Sequence, residues 1–440
     1  MENRELKKRK EKGKRRKRIL YIEHYAGSPT LGMEFRPYYL AREWVRMGYR
    51  VDIVAADYSH LRAENPKIDH EFQSTVEDGV CYHWIHTRKY SGNGVARAIT
   101  MGQFLSKLWM AAGKIAEQYQ PDVIITSSTY PLDSFVGQRI RKKTKRIKKQ
   151  ENGGASSCVT LIHEVHDMWP ATLIEVGGMS KYHPFTVAMQ IGENSAYKRS
   201  DAVVSLPPLT EPYMKEHGLA DGKWHHVPNG IVEEEWTDPE PIPEEHRKVL
   251  EELHSRGRFI VGYFGGHAIS NALDVLLEAA EHTEKRGGNA SYVLVGDGVE
   301  KEGLMKQAKK LGLSEVYFLP KVPKKSVPSL VRYFDCTYVG AKNSSLYRFG
   351  LCMNKIFDSM MAGKPILSAI STPDDIVTKN KAGVMVPSDA PEAIDAAVAA
   401  WEKLPKEELQ KMGEAGHRAA LEKYSYRRLA EEFAKLFPGE

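Results

Sequence analysis

The sequence is poor in cysteine. Its four cysteines, Cys81, Cys158, Cys336 and Cys352, are far apart and form no CxxC pair. That spacing argues against a disulfide framework and against a structural zinc site, and suits reduced thiols in a cytosolic protein. No uncharged apolar run approaches the ~20 residues that a membrane-spanning helix needs. A secretory signal peptide is not expected either, because Glu23 and His24 cut short the apolar Ile19-Leu20-Tyr21-Ile22 that follows the basic start. Internal repeats are missing. What remains is an ordinary globular composition over 440 residues, long enough for two domains with sizeable cores.

Acidic residues are scarce in two places. Residues 1–18 hold 11 Lys/Arg against 3 Asp/Glu, and residues 139–149 hold 8 basic residues and no acid. Each segment is thus +8, and the whole chain is only +6, so the remaining body is −10. Such segments attract anionic lipid headgroups, or are solvated charge runs without a partner. Neither holds aromatics and no nucleic-acid motif accompanies them, so nucleic acid is disfavoured. The expectation is a cytoplasmic protein, peripheral on the inner face of the cell membrane through residues 1–18 and 139–149.

Short apolar runs alternate with helix-type spacing along the chain. Ile19–Ile22, a Gly- and Pro-bearing loop, a helical stretch Phe35–Met47 stopped at Gly48, and Val51–Ala55 make a strand–loop–helix–strand unit. Asp122–Thr126, Val159–His163 and Ala202–Leu206 continue the series, with the basic segment and Gly153-Gly154 read as a mobile excursion. A Glu/Pro-rich stretch, Val232–Glu245, reads as a linker. A second series then runs through Arg258–Phe264, Ser291–Val295, Val316–Leu319, Cys336–Val339, Pro365–Ser368 and Gly383–Val386. The fold class predicted is α/β: two Rossmann-like doubly wound domains facing a cleft. The expected boundaries are a basic disordered tail 1–18, a first domain 19–235, a linker 236–255, a second domain 256–425, and a C-terminal helix 426–440.

Candidate chemistry gathers at strand ends. Gly265-Gly266-His267, with Asn271 shortly after, allows close backbone approach to a phosphate or makes an ordinary βα turn. Gly296-Asp297-Gly298 has the same two readings. The loop holding Val322 is able to present backbone groups to a base edge, or is simply stiffened by Pro320 and Pro323. Arg348-Phe349-Gly350-Leu351 leads to a helix from Asn354 on which Ile356, Phe357, Met360 and Met361 form one side. Lys355, Asp358, Ser359 and Ala362 form the other. A lysine at the helix start suits a phosphate and a carboxylate one turn on suits sugar hydroxyls. The alternative is a solvated face with an i,i+3 ion pair. In the first half, His163-Glu164-Val165-His166-Asp167 follows a strand, and no further set of ligands supports a metal there. Gly32, Glu34 and Arg36 belong to the loop after the first strand and either bind substrate or cap the next helix.

The order of these residues resembles that of family-4 glycosyltransferases of GT-B fold, especially bacterial enzymes of capsule, O-antigen and exopolysaccharide assembly. The resemblance spans residues 19–440 and rests on Val227-Pro228-Asn229-Gly230-Ile231, Val295-Gly296-Asp297-Gly298, the run from Asn354 to Pro365, and His166-Asp167-Met168-Trp169-Pro170. It implies a retaining, metal-independent hexosyl or N-acetylhexosaminyl transfer from a nucleotide sugar, commonly UDP-linked, to a glycan or lipid-linked acceptor. It also implies that His166, with Asp167, lies near the transferred sugar, that Asp358 holds the ribose, and that Lys355 neutralises the diphosphate. The backbone of Phe349-Gly350-Leu351 would face the donor, and the C-terminal helix would return to the first domain. The family usually has Glu at position 358 and an earlier Glu near Phe349-Gly350, but no acid lies between Ala341 and Asn354. His267 and Asn271 stand where the family often has Arg and Lys, which shifts diphosphate charge onto Lys355 and Arg348. A UDP-sugar 2-epimerase and a non-catalytic binding subunit are the alternative functions.

Overall fold

A computed structural model describes residues 16–33, 35–60, 62–92, 94–153, 155 and 158–438. Residues 1–15, and Glu34 among the candidate substrate ligands, lie outside the described residues. The chain divides into two units. The first comprises residues 1–206, 210–227 and 429–440; the second comprises 207–209 and 228–428.

In the first unit the strands are β1 (Arg18–Ile22), β2 (Arg50–Ala56), β3 (Gln73–Glu77), β4 (Val80–Ile85), β5 (Val123–Thr126), β6 (Thr160–Val165), β7 (Ala202–Ser205) and β8 (Trp224–His226). They form one sheet in the order β3-β4-β2-β1-β5-β6-β7-β8, parallel except for the antiparallel β3–β4 pair. Strands β1, β2, β5 and β7 are near-continuous apolar runs because parallel strands are covered on both faces, while β6 carries the polar His163 and Glu164. Strand order reverses between β1 and β5, so the loops after these two strands diverge at that point, the usual place for a ligand in such a sheet.

The basic run 139–149 is not an excursion. It forms most of the helix Asp133–Glu151, whose Val136, Ile140 and Thr144 are buried. Lys148 is buried as well, donating to the Pro121 carbonyl at 2.9 Å, and Arg141 pairs with Asp201 at 2.9 Å. Helical periodicity places Ile140, Thr144 and the stem of Lys148 on the core side, so part of the positive charge is used internally. Residues 429–438 belong to the first unit: Trp44 Nε1 donates to the Ala430 carbonyl at 3.1 Å, and its ring meets Phe433 and Phe437 edge-on.

The second unit has β9 (Phe259–Phe264), β10 (Ala290–Val295), β11 (Val316–Leu319), β12 (Cys336–Gly340), β13 (Ile366–Ala369) and β14 (Gly383–Val386), ordered β11-β10-β9-β12-β13-β14 and all parallel. Its order reverses between β9 and β12. The division falls earlier than the composition of the Glu/Pro stretch suggests. A short helix is expected before Arg258, and Glu244–Ser255 is helical, but its Leu250 and Leu253 join the core of Ile260, Val293 and Phe334 and so belong to the second unit rather than to a linker.

Candidate functional site

In the first unit, β6 carries Glu164 into the interior and releases His166 just past its end. Glu164 is fully buried and is gripped by the Arg36 guanidinium, with Nε at 3.0 Å and Nη2 at 2.9 Å on the same oxygen. Its other oxygen accepts from Tyr21 and from Ser127 Oγ at 2.5 Å, and lies 3.1 Å from His166 Nε2. Burial alone would raise the Glu164 pKa, but Arg36, His166 and Ser127 hold it well below the carboxylate range. A carboxylate only accepts, so His166 Nε2 carries the proton in this contact and in that with Ser127 Oγ at 2.7 Å. The ring is thereby fixed in orientation. Asp167 is exposed, yet the surrounding walls raise its pKa, opposed by His166.

Arg36, expected to bind substrate or cap the helix, points into the interior instead of standing open to a ligand. It is buried and committed to Glu164 and, at 2.8 Å, to the Val227 carbonyl. The structural reason is the helix Arg36–Arg46, whose first residue faces the sheet beside β6 and β1. Gly32 closes a turn, its N–H donating to Ser28 O at 2.8 Å with φ +79°, and its contacts place it apart from the Glu164 network. Ser127 and Tyr21 belong to this network and were not anticipated. Single polar residues at the ends of apolar strands carry little signal in sequence. His163 is an interior residue, bonded to Thr126 Oγ1 at 2.9 Å, and burial pushes its pKa down to about 4. Asp52, Cys81 and His83 are also close together, but Asp52 is already paired with Arg50 and with His83 Nε2.

In the second unit, the β9 and β10 loops interlock through their backbones. Gly265 N–H donates to Val295 O at 3.0 Å and His267 N–H to Asp297 O at 2.8 Å. A Cβ at Gly296 would lie 1.9 Å from Gly265 O, and one at Gly298 2.3 Å from His267 O, so these glycines are required by close approach. The helix Asn354–Met361 brings Lys355 against this pair of loops. Its Nζ donates to Tyr263 Oη at 2.9 Å and to Asn271 Oδ1 at 2.8 Å, and sits 4.8 Å from the Tyr263 ring centre. Asn271 in turn donates to Gly266 O at 2.7 Å. Burial lowers the Lys355 pKa to about 8. His267 is wholly buried with neither ring nitrogen hydrogen-bonded, and its pKa is pushed down to about 4 by burial and by Lys301.

Gly265, Gly266, His267, Asn271, Gly296, Asp297 and Lys355 therefore come together. Tyr263, which holds Lys355 and Gly266, completes the group. Asp358 makes no ion pair with Lys355. Burial raises its pKa to about 6, eased by Lys324 and reinforced by Glu235, and no side chain hydrogen-bonds its carboxylate among the described residues. Ser359, expected on the open side of this helix, is buried. The helix lies between the sheet, at β12 and β13, and the helix Lys406–Lys423, so more than one stripe of it is covered. Val322 packs on the core formed by Phe264, Val295 and Leu319, near the ends of their strands. The Arg348–Leu351 segment leads into the helix Asn354–Met361, and Leu351 packs with its Ile356 and Phe357. Arg348 bends onto Ser345 O and the Phe349 ring, Phe349 O accepts from Leu209 N, and Leu351 is buried. Gly350 has φ +86°, and a Cβ there would meet Pro208 at 2.5 Å.

Two sequence-family models match, glycosyltransferase family 4 over residues 31–235 and glycosyl transferases group 1 over residues 245–419. The chain belongs to the family-4 glycosyltransferases of GT-B fold. A search of curated proteins returns no match to the sequence. Among solved structures, sucrose-phosphate synthase from Thermosynechococcus elongatus is similar at TM-score 0.69 and 14% identity, covering 96% of this chain and 98% of that one. Anabaena HepE, crystallised with UDP and glucose, is similar at TM-score 0.62 and 14% identity over 95% and 98%. WaaG, a glycosyltransferase involved in lipopolysaccharide biosynthesis, is similar at TM-score 0.60 and 11% identity over 96% and 100%. At these identities the likeness establishes the fold.

Proposed function

We propose that this glycosyltransferase moves a hexosyl or N-acetylhexosaminyl unit, with retention, from a UDP-sugar to a glycan or lipid-linked acceptor of a surface polysaccharide, at the cytoplasmic face of a membrane and without a metal ion. One observation carries the donor assignment. Lys355 is a largely buried cation whose partners, Tyr263 and Asn271, are both neutral. A buried ammonium without a counter-ion is costly, and an incoming diphosphate supplies that counter-ion. Gly266 leaves the backbone after β9 open to a phosphate, since a Cβ there would meet nothing closer than Asp297 O at 4.0 Å, and β9 borders the reversal of strand order. Asp358, one turn along the same helix, offers an unshared carboxylate to ribose hydroxyls.

In this reading the bond between the anomeric carbon and the diphosphate oxygen breaks while that carbon bonds to the acceptor's hydroxyl oxygen on the same face. The hydroxyl proton passes to the leaving diphosphate, on which negative charge grows. Lys355 and the N–H groups of the glycine loops stabilise that charge. His166, oriented by Glu164 and Ser127, hydrogen-bonds a sugar hydroxyl. The relatives point the same way, since HepE holds UDP and glucose in its crystals. The test is a thermal-unfolding screen of nucleotide sugars, because a ligand bound only by the folded state raises stability with its concentration. UDP-sugars are expected to raise the midpoint in the wild type and not in Lys355→Ala. A screen in which no nucleotide stabilises the protein would overturn the donor assignment.

A further inference from the structure

The first unit holds a cavity that donor binding leaves without an occupant. Its volume of about 820 Å³ falls in the range of small-molecule sites. Val95, Ala98 and Met101 on the helix Val95–Tyr119, Leu173 and Val176 at the helix Ala171–Glu175, and Phe185 on the helix Pro184–Arg199 make its walls apolar. Thr129, Asp167 and Trp169 line both this cavity and the small recess containing His166 and Glu164. The cavity therefore adjoins the recess of the oriented histidine. Its polar edge includes Arg97, which donates to Tyr25 Oη at 3.1 Å and lies over the Tyr25 ring at 4.8 Å.

The mouth of the cavity is as apolar as its walls. Val95 is 77% exposed and Val176 63%, although both line the cavity. Ile99 follows Val95 by one helical turn and is exposed, and Tyr182, next to the lining His183, is exposed as well. Exposed apolar side chains scattered singly mean little, but a concentration around one apolar cavity marks an interaction surface. Lys181, beside Tyr182, and Arg97 add positive charge.

We infer that the cavity takes the hydrocarbon chain of a membrane lipid-linked acceptor. The acceptor's polar head lies at Asp167 and His166, its anionic linker is drawn by Arg97, and its chain passes Val95 and Val176 to the lipid surface. The word acceptor rests on the glycosyltransferase reading above; the amphiphile site does not.

The test is calorimetric titration of the full chain with octyl, decyl and dodecyl maltosides below their micelle concentrations, with maltose as control and UDP titrated separately. Affinity is expected to rise about fourfold per methylene, the transfer value for a buried CH₂, with no measurable binding of maltose. Val95→Glu and Val176→Glu alter exposed positions and are expected to weaken dodecyl maltoside at least tenfold while UDP binding is unchanged. Affinity independent of chain length, wild-type affinity in both variants, or a dimer that the same variants dissociate would overturn the inference. Loss of UDP binding with the chain-length series intact would remove the donor assignment and leave the cavity's role standing.

Discussion

Lys355 Nζ lies 2.8 Å from Asn271 Oδ1, a neutral amide where a buried ammonium would ordinarily meet a carboxylate. With its pKa near 8, Lys355 is charged at neutral pH and increasingly neutral above it. A bound diphosphate favours the charged form, so binding above pH 8 requires uptake of a proton. UDP-glucose affinity is therefore expected to be flat below about pH 8 and to fall up to tenfold per pH unit above it. Lys355→Ala should cost about 2–5 kcal/mol of binding and remove that pH dependence. Isothermal titration between pH 6.5 and 9.5 checks both, and an unchanged slope in the variant would disprove the role.

Asp358 titrates on the other side. Its pKa is raised to about 6 by burial, so the carboxylate is ionised at neutral pH and is lost as pH falls below 6. Hydroxyl donors from a ribose stabilise the ionised form, so UDP-glucose affinity should weaken on acidification through that range. Asp358→Asn should lose about 1.5–3 kcal/mol of UDP-glucose binding, while inorganic pyrophosphate binds as before. Equal losses for both ligands would place Asp358 on the phosphate instead.

The buried Arg36–Glu164 pair is a stability element. Arg36→Met leaves an uncompensated buried carboxylate and should destabilise the first unit by about 3–5 kcal/mol in urea unfolding. Glu164 has a folded pKa below its unfolded value of about 4.3. Its contribution is therefore complete above that value and is lost as pH falls below it. The Arg36→Met, Glu164→Gln double variant should recover part of the loss near pH 7, which a simple packing defect at position 36 would not allow.

Gly296→Ala should separate the loops that interlock at β9 and β10, because its Cβ would fall 1.9 Å from Gly265 O. The expected cost is about 1–3 kcal/mol of stability together with more than a tenfold loss of UDP-glucose affinity. Gly303→Ala is the control, since a Cβ there meets nothing within 4 Å. It lies in the helix Lys301–Leu311 and should stabilise by about 0.5–1 kcal/mol. Thermal unfolding and calorimetry of the pair distinguish a clash from a generic glycine effect.

Much of the second unit was legible because its signals are local. Continuous apolar runs of four to six residues end in Gly265-Gly266 and Gly296-Asp297-Gly298, and a parallel strand followed by a glycine turn leaves that mark. Contacts between distant segments left no such mark. Arg36 resembles a surface cation after a loop, and only the register of β6 against β5 and β7 brings Glu164 into line with it. The basic run 139–149 looks like a solvated segment until the helix that contains it turns Lys148 inward to Asp122. The antiparallel β3–β4 pair leaves little mark because Gln73–Glu77 holds one apolar residue, Val76, whereas the helix Val95–Tyr119 has a regular stripe of Met101, Phe104, Leu108, Ala112 and Ile115.

By itself the sequence determined the two α/β series, the glycines where backbones had to approach, and the family that their order defines. Those properties follow from local periodicity and from φ/ψ limits that no distant residue changes. Tertiary structure decided which polar side chains are free to act. It assigned Arg36 to the interior, set His166 on Glu164 and Ser127, placed Lys355 beside neutral partners, and left Asp358 unshared. Charge and hydrogen-bonding capacity are properties of a residue, but whether they are already satisfied depends on neighbours that folding alone supplies.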